Sequence, residues 1–174
     1  GENLQDNVFT ALRVLGRGFV ETNDTLDIDP GDEEALEELK EQSLVFLYRL
    51  MCVLYAEARG LIHPEDRSAQ DEYEENFSLD ELRLDVHDAG GEVDEGFAGE
   101  FSDYSTTMWS RLEDLFRLID EGEADLGIPP YNGGLFDREE HAFLDEHEVA
   151  DRYVAEVVYR ISTTESEQSG ETVL

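Results

Sequence analysis

Lysine is almost absent from this chain, in which Lys40 is the only lysine beside eleven arginines. The 45 acidic residues outnumber these bases so far that the formal net charge is −33 over 174 residues. Crowded carboxylates repel one another in dilute salt, but at about 1 M salt the Debye length is about 3 Å and the repulsion is screened. We therefore expect a cytoplasmic protein of an extreme halophile, and the acidity reports the solvent more than the partner.

The chain is not poor in hydrophobic residues, and this argues against the disorder that a high net charge otherwise favours. The chain is 40% hydrophobic and 10% aromatic, and these residues fall in periodic segments. We expect one folded helical domain over residues 1–162 and a flexible tail over 163–174. A second interpretation of the charge is an acidic mimic of DNA, and it stays open at this point.

Cysteine pairs and long apolar runs are missing as well. Cys52 is the only cysteine, so no internal disulfide forms and a reducing compartment is expected. The apolar run around it, residues 44–55, is too short for a membrane span and contains Arg49. The start of the chain has neither the pattern of a signal peptide nor a methionine, which suggests a piece excised from a longer protein.

What is present is helical periodicity. Apolar residues at three- and four-residue spacing predict helices over about 4–20, 33–59, 78–87, 104–120, 138–147 and 149–162, with polar connections at 61–76 and 88–102. Asp32 and Ser78 are predicted N-caps, and Gly60 and Gly122 predicted stops. Because the second helix is apolar nearly all round after Leu44, the sequence predicts an all-α, irregular bundle of five to seven helices around that helix, about 33–59.

Recognisable catalytic chemistry is absent from the sequence. Its four histidines do not form an H-E-x-x-H motif, and no G-x-S-x-G, P-loop or dinucleotide fingerprint occurs. Cys52 is expected to be a core residue, because it lies in an apolar run. Arg13 and Arg17 share a helical face, but two arginines are too small a basic footprint for phosphate binding. We predict no catalytic, cofactor-binding or metal-binding residue in this chain.

Two short segments are candidates for docking another domain or lying near DNA. The first closes the second helix as Y-A-E-A-R-G, where Glu57 and Arg59 form either an exposed helix-end ion pair or a buried docking pair. The second is G-I-P-P-Y-N-G-G-L-F-D at 127–137, where two prolines stiffen the chain before Tyr131. That loop is either a structural corner or a docking surface. Its candidate residues are Tyr131, Asn132, Gly133, Gly134 and Phe136.

These two segments, in this order, carry a resemblance to a known family. L-Y-R-L-M-C-V-L-Y-A-E-A-R-G-L, followed by W-S-R-L-E-D-L-F-R-L-I-D-E-G and P-P-Y-N-G-G-L-F-D, resembles the helical region upstream of the methyltransferase core in type IIG-like fused restriction–modification proteins. These are adenine-specific DNA methyltransferases, and relatives serve in phage defence. The resemblance covers roughly residues 35–162.

The family's catalytic motifs do not occur in this chain. The F-x-G-x-G motif for the cofactor and the N-P-P-Y motif for the flipped adenine are missing, and I-P-P-Y at 128–131 has isoleucine where the amide is required. The resemblance therefore implies a non-catalytic helical spacer that docks domains or clasps DNA. S-adenosylmethionine, with Mg²⁺ as a further possibility, belongs to the parent protein, which would methylate a flipped adenine.

The resemblance also implies partners. They are the adjacent methyltransferase and nuclease domains of the same chain, and DNA through the parent, with no membrane. A fragment cut from its neighbours would expose its docking patches, so a homodimer of the excised piece is a further expectation. The alternative function is a stand-alone acidic helical interaction module or DNA mimic.

Overall fold

The computed structural model describes residues 4–89, 97 and 99–173, with the backbone alone described from 163 onward. Its elements confirm the predicted all-α bundle of five to seven helices, because the described residues form no strand, and the pairing of Glu123 with Ile128 is an isolated bridge. The helices are α1 Leu4–Thr22, α2 Glu33–Ala58, α3 Arg67–Asn76, α4 Leu79–Ala89, α5 Thr107–Glu121, α6 Ala142–Glu146 and α7 Asp151–Val173, with 3₁₀ turns at Ala124–Leu126 and Gly134–Phe136.

Helices α2 and α7 share the centre of the bundle. α2 packs against α1, α4, α6 and α7, as its apolar sequence predicts, but it leaves Tyr48 and Tyr55 about half exposed on one side. The first turns of α7 are more completely enclosed, since Val154, Ala155 and Val157 have no exposed surface. The most extensive helix contact is between α7 and α1. The core is therefore built around two helices, one of which keeps an open flank.

An aromatic cluster fills the space between α1, α2 and α5. The indole of Trp109 stacks on the ring of Phe46 with 4.6 Å between centroids, and Phe19 meets the indole edge-on at 5.5 Å. Phe116 contacts Phe46 in a T-shaped arrangement. Such pairs contribute more than their buried area alone, so this cluster fixes α5 against the other two helices.

The predicted helix ends are confirmed where a cap was recognised. Asp32 accepts a hydrogen bond from the Ala35 amide, and Ser78 accepts one from the Glu81 amide. Gly60 and Gly122, which follow α2 and α5, have positive φ angles of 67° and 71°. Each glycine therefore ends its helix in a conformation that a side chain would strain.

Some predicted boundaries are wrong. The polar connection predicted at 61–76 contains α3, which Asp66 caps by accepting from the Ala69 amide at 2.7 Å. A helix this polar buries only Ala69 and Tyr73, so its apolar period is too short to recognise. The predicted helix at 138–147 is reduced to α6, because residues 138–141 form turns.

Other boundaries move less or stay untested. Helix α5 begins at Thr107 rather than Tyr104, since Asp151 of α7 accepts hydrogen bonds from Thr107 and the Met108 amide. The loop predicted at 88–102 lies largely outside the described residues, although Phe97 within it is buried. The backbone of α7 is helical to Val173, and flexibility of 163–174 stays a prediction.

Candidate functional site

An apolar groove of about 510 Å³ lies between the end of α2 and the loop that follows α5. Three of its lining side chains are more than half exposed although they are large and apolar or aromatic: Tyr55, Leu61 and Tyr131. Its residues are Cys52, Val53, Tyr55, Ala56, Leu61, Ile62, His63, Ile119, Gly127, Ile128, Pro129, Pro130, Tyr131 and Phe136. We call this feature the α2–loop groove.

The groove lining contains no Asp, Glu, Lys or Arg, and His63 is its only titratable group besides tyrosine and cysteine. In the chain as a whole one residue in three is charged, at 33%. In a chain with 45 acidic residues, a sizeable lining without a carboxylate is an exception. An exposed apolar patch of this kind is typical of an interaction surface.

The loop wall of the groove is held rigidly by backbone packing. A β-carbon at Gly122 would lie 2.6 Å from the Pro130 nitrogen and 2.7 Å from the Ile128 oxygen, so only glycine fits there. The Tyr131 amide donates to the Ile119 carbonyl of α5 at 2.9 Å. Together with the fixed φ of Pro129 and Pro130, these contacts set the position of Tyr131.

Of the predicted docking residues in the loop, Tyr131 lies at the surface, and the others shape or support the turn that carries it. Tyr131 is 56% exposed, and its ring meets the buried ring of Phe136 edge-on at 5.7 Å. Asn132 adopts a positive φ of 59°, and a β-carbon at Gly133 would lie 2.5 Å from the Tyr131 ring. Asn132 and Gly133 thus shape the turn beneath Tyr131, and Gly134 begins the 3₁₀ turn that contains Phe136.

The Glu57 carboxylate lies outside the groove and joins three helices. Its oxygens accept hydrogen bonds from the Tyr73 hydroxyl at 2.6 Å, the Leu79 amide at 2.9 Å and the Asp80 amide at 2.8 Å. Leu79 and Asp80 open α4, so Glu57 caps that helix from α2. Burial raises the pKa of Glu57, and the three hydrogen bonds to its charged form oppose that rise.

Arg59 does not pair with Glu57. Its guanidinium lies over the ring of Tyr55, 5.2 Å from the centroid, at the edge of the groove. Within the described ranges the structure forms no ion pair between the two residues, so the expected helix-end pair is wrong. The Glu57 carboxylate already accepts hydrogen bonds from Tyr73 and the α4 amides, whereas the Arg59 guanidinium makes a cation–π contact with Tyr55.

Cys52 lines the groove in a half-buried position rather than the deep core. Burial raises the pKa of its thiol, which disfavours the thiolate that nucleophilic chemistry requires. Apart from His63, the lining around it is apolar or aromatic or lacks a titratable side chain. The groove can therefore bind an apolar or aromatic segment.

Comparison with known proteins finds no match to any family model, curated protein or solved structure. Across the described portion of the chain, no three His, Cys, Asp or Glu side chains are grouped so as to hold a metal ion. Nor does any helix in that portion have the length and apolar character needed to cross a membrane. The site must be interpreted from its own geometry.

The sequence indicated the loop side of the groove and, for the opposite wall, the segment Y-A-E-A-R-G, but its candidate residues Glu57 and Arg59 do not line the groove. Tyr55, Leu61 and Ile62 were not singled out, although Leu61 and Ile62 follow the terminating Gly60 directly. Two apolar residues placed just after a helix stop were the available signal. What the sequence could not give is that this stretch faces the loop at 127–131.

Proposed function

We propose that this chain is a helical docking segment of a restriction–modification type adenine-specific DNA methyltransferase, cytoplasmic in a halophile and not catalytic by itself. The observation that carries the proposal is the acid-free α2–loop groove. It lies where the two sequence segments of the family resemblance come together in space. The end of Y-A-E-A-R-G-L-I forms one wall, and I-P-P-Y with Phe136 forms the other.

The occupant that fits the groove is an apolar or aromatic segment of the adjacent methyltransferase domain. Tyr131, Tyr55 and Leu61 supply large side chains of the kind that anchor protein interfaces. Since the lining holds no formal charge of its own, shape and apolar area would set its preference. S-adenosylmethionine, with Mg²⁺ if the parent also cleaves DNA, would bind the neighbouring domains. This chain would reach DNA through those same domains.

The test starts from the reading frame that encodes residues 1–174. The proposal expects it to continue past Leu174 into F-x-G-x-G and then N-P-P-Y. The domain encoded there, made as a separate polypeptide, is titrated with this chain in molar KCl. Tyr131→Ser and Leu61→Ser should each weaken binding about tenfold, as losses of anchor residues do.

Tyr104→Ser is the matched control, because Tyr104 is 90% exposed and lies outside the groove. Binding that survives both groove substitutions would contradict the proposal, as would a start and a stop codon directly flanking the segment.

Micromolar binding of S-adenosylmethionine to this chain, measured by calorimetry in molar KCl, would contradict its non-catalytic character. Dimerisation of the isolated chain through the groove should be lost in the Tyr131→Ser variant.

A second candidate, an acidic interaction module or DNA mimic, is favoured by a carboxylate-lined depression of about 720 Å³ beside α2 and α6. Its acidic side chains are Glu34, Glu37, Glu38, Glu41, Glu140 and Glu146. A mimic would bind a basic DNA-binding protein at the lowest KCl concentration that preserves the fold. Its affinity for that protein would fall steeply as salt is added. Docking through the apolar groove would be insensitive to salt over that range.

A further inference from the structure

A small cavity of about 30 Å³ lies beneath the aromatic cluster, between α2, α5 and α6. It is separate from the α2–loop groove, although Phe136 borders both. Its volume exceeds the minimum needed to hold one water-sized particle. Its lining combines the rings of Phe46, Phe116 and Phe136 with the side chains of Arg49, Trp109, Glu113 and His141, which carry polar atoms.

Two buried hydrogen-bond donors at this cavity have no protein partner. Arg49 is 5% exposed and Trp109 1% exposed, and in the described part of the chain Arg49 Nη2 and Trp109 Nε1 have no acceptor. Both groups can only donate. Buried donors are almost always satisfied, so two at one cavity point to an acceptor held inside it. His141 Nδ1, also unpartnered, borders the same space.

The guanidinium of Arg49 is held without a carboxylate in direct contact, although Asp120, Asp137 and Asp145 lie near enough to act on its charge. Its Nε donates to the Leu135 carbonyl at 2.7 Å, and its charge lies over the rings of Phe116 and Phe136 at 5.5 and 5.9 Å from their centroids. Among the described residues no carboxylate forms an ion pair with it. A desolvated cation held in this way attracts an anion.

Three arginines and two acids line the cavity in a strongly negative molecule. Arg49, Arg117 and Arg138 line it, against Glu113 and Asp145. Asp145 is already paired with Arg138, with 2.8 Å between Oδ1 and Nε. Burial, followed by the nearby acids, raises the pKa of Glu113 to about 7, so much of its population is uncharged at neutral pH. Asp120, Asp137 and Asp145 lie near enough to balance part of the charge of Arg49 without pairing with it. What the cavity offers an anion is therefore the unpartnered N–H groups of Arg49 and Trp109 rather than a net positive charge.

We propose that this cavity is a binding site for a single halide ion, held by the N–H groups of Arg49 and Trp109. A halide accepts hydrogen bonds without donating any, as the two orphan donors require. It is also small enough for the space, whereas sulfate and nucleotide phosphates are not. In the salt-rich cytoplasm that the composition predicts, chloride would occupy the site. The inference does not rest on the proposed docking function.

Trp109 is the only tryptophan of the chain, so its fluorescence reports on this cavity alone. The full chain is kept folded in potassium sulfate and titrated with KBr at constant ionic strength. Bromide in contact with the indole should quench the emission with a saturating curve, and chloride should compete. A linear dependence on bromide, or no quenching at all, would overturn the proposal, because a ring only 1% exposed is shielded from collisions.

Variants separate the site from general salt effects. Arg49→Met should abolish the saturating phase, and Arg13→Met, at an exposed arginine of α1, should leave its midpoint unchanged. Should Arg49→Met fail to fold, Glu113→Gln provides an independent test. By removing a competing negative charge it should lower the bromide midpoint at pH 8 several-fold. An unchanged midpoint in Glu113→Gln would count against the site.

Bromide diffraction gives the direct measurement. Crystals grown in KBr should show an anomalous peak within hydrogen-bonding distance of Arg49 Nη2 and Trp109 Nε1. A cavity holding water only, with no anomalous signal, would overturn the proposal.

Discussion

The Glu57 carboxylate at the end of α2 accepts the hydroxyl hydrogen of Tyr73 in α3, with 2.6 Å between the two oxygens. The same carboxylate accepts the first amides of α4. Burial raises the pKa of Tyr73, so its hydroxyl stays protonated and able to donate. One side chain therefore ties the consecutive helices α3 and α4 to α2.

Glu57→Gln should lower the free energy of unfolding by about 1–3 kcal/mol, because the amide nitrogen then faces N–H or O–H donors that need acceptors. Tyr73→Phe, which removes only one of the three bonds, should cost less, about 1 kcal/mol. Urea unfolding in molar KCl measures both. Glu72→Gln, at an exposed position of α3, is the control. Equal stability of Glu57→Gln and Glu72→Gln would refute the capping role.

The close packing of α1 against the start of α7 and the residues just before it depends on Gly18. A β-carbon there would lie 2.7 Å from Val149 Cγ1 and 2.9 Å from Tyr153 Cβ. Gly18→Ala should therefore destabilise the fold by about 1–3 kcal/mol through overpacking.

Gly16, half a turn away, is the matched control for this substitution. The nearest atom to its β-carbon position is Leu39 Cδ2 at 4.0 Å. Gly16→Ala should be neutral or stabilise the protein by up to about 1 kcal/mol, since alanine favours the helix. Thermal unfolding of the two variants side by side should give shifts of different size or sign. Two equal shifts would refute the tight α1–α7 contact.

Glu113 gives the stability a defined pH dependence. Burial, reinforced by Asp145 and Glu148 and opposed by Arg138 and Arg117, raises its pKa to about 7, above the ordinary glutamate value of about 4.3 in the unfolded chain. The folded state thus holds this proton more tightly. Its contribution to stability is full below about pH 4 and is lost as the pH rises to about 7.

Glu113→Gln removes this dependence. At constant KCl, the stability of the variant relative to the parent should increase between pH 5 and pH 8. The exposed neighbour Asp114 provides the control substitution, Asp114→Asn, which should not change the slope. Parallel curves for the parent and Glu113→Gln would show that Glu113 does not titrate as inferred.

Salt should decide whether the chain folds at all. With a net charge of −33, the helical circular dichroism should fall as KCl is withdrawn from about 1 M, where the Debye length is about 3 Å. Restoring KCl should restore the signal. Equal helicity at all salt concentrations would contradict the halophilic interpretation, and a chain unstructured throughout would contradict the fold.

The sequence predicted the helices that follow an apolar stripe or a recognisable cap. Asp32, Ser78, Gly60 and Gly122 act locally, within a few residues of the chain, so their roles can be predicted from neighbours alone. Helix α3 was missed because it buries only Ala69 and Tyr73, too few residues to show an apolar period. Its packing depends on the contact of Tyr73 with Glu57, which the local sequence does not show.

The candidate site was predicted in part for the same reason. Tyr131 and Phe136 were indicated by a motif, and both line the groove. Arg49 appeared only as a charge interrupting an apolar run, whereas its environment depends on α5 and α6, which follow more than fifty residues later. A cavity formed between distant segments cannot be predicted from a local sequence pattern.

The contacts of Gly122 with the prolines, and of the Tyr131 amide with Ile119, have a kinetic consequence for whatever enters the groove. A wall already in its bound shape needs no rearrangement before an encounter succeeds. Association should then proceed at a rate typical of rigid partners, about 10⁵–10⁷ M⁻¹s⁻¹. Substitutions along the groove should leave that rate nearly constant and shorten the residence time of the complex instead.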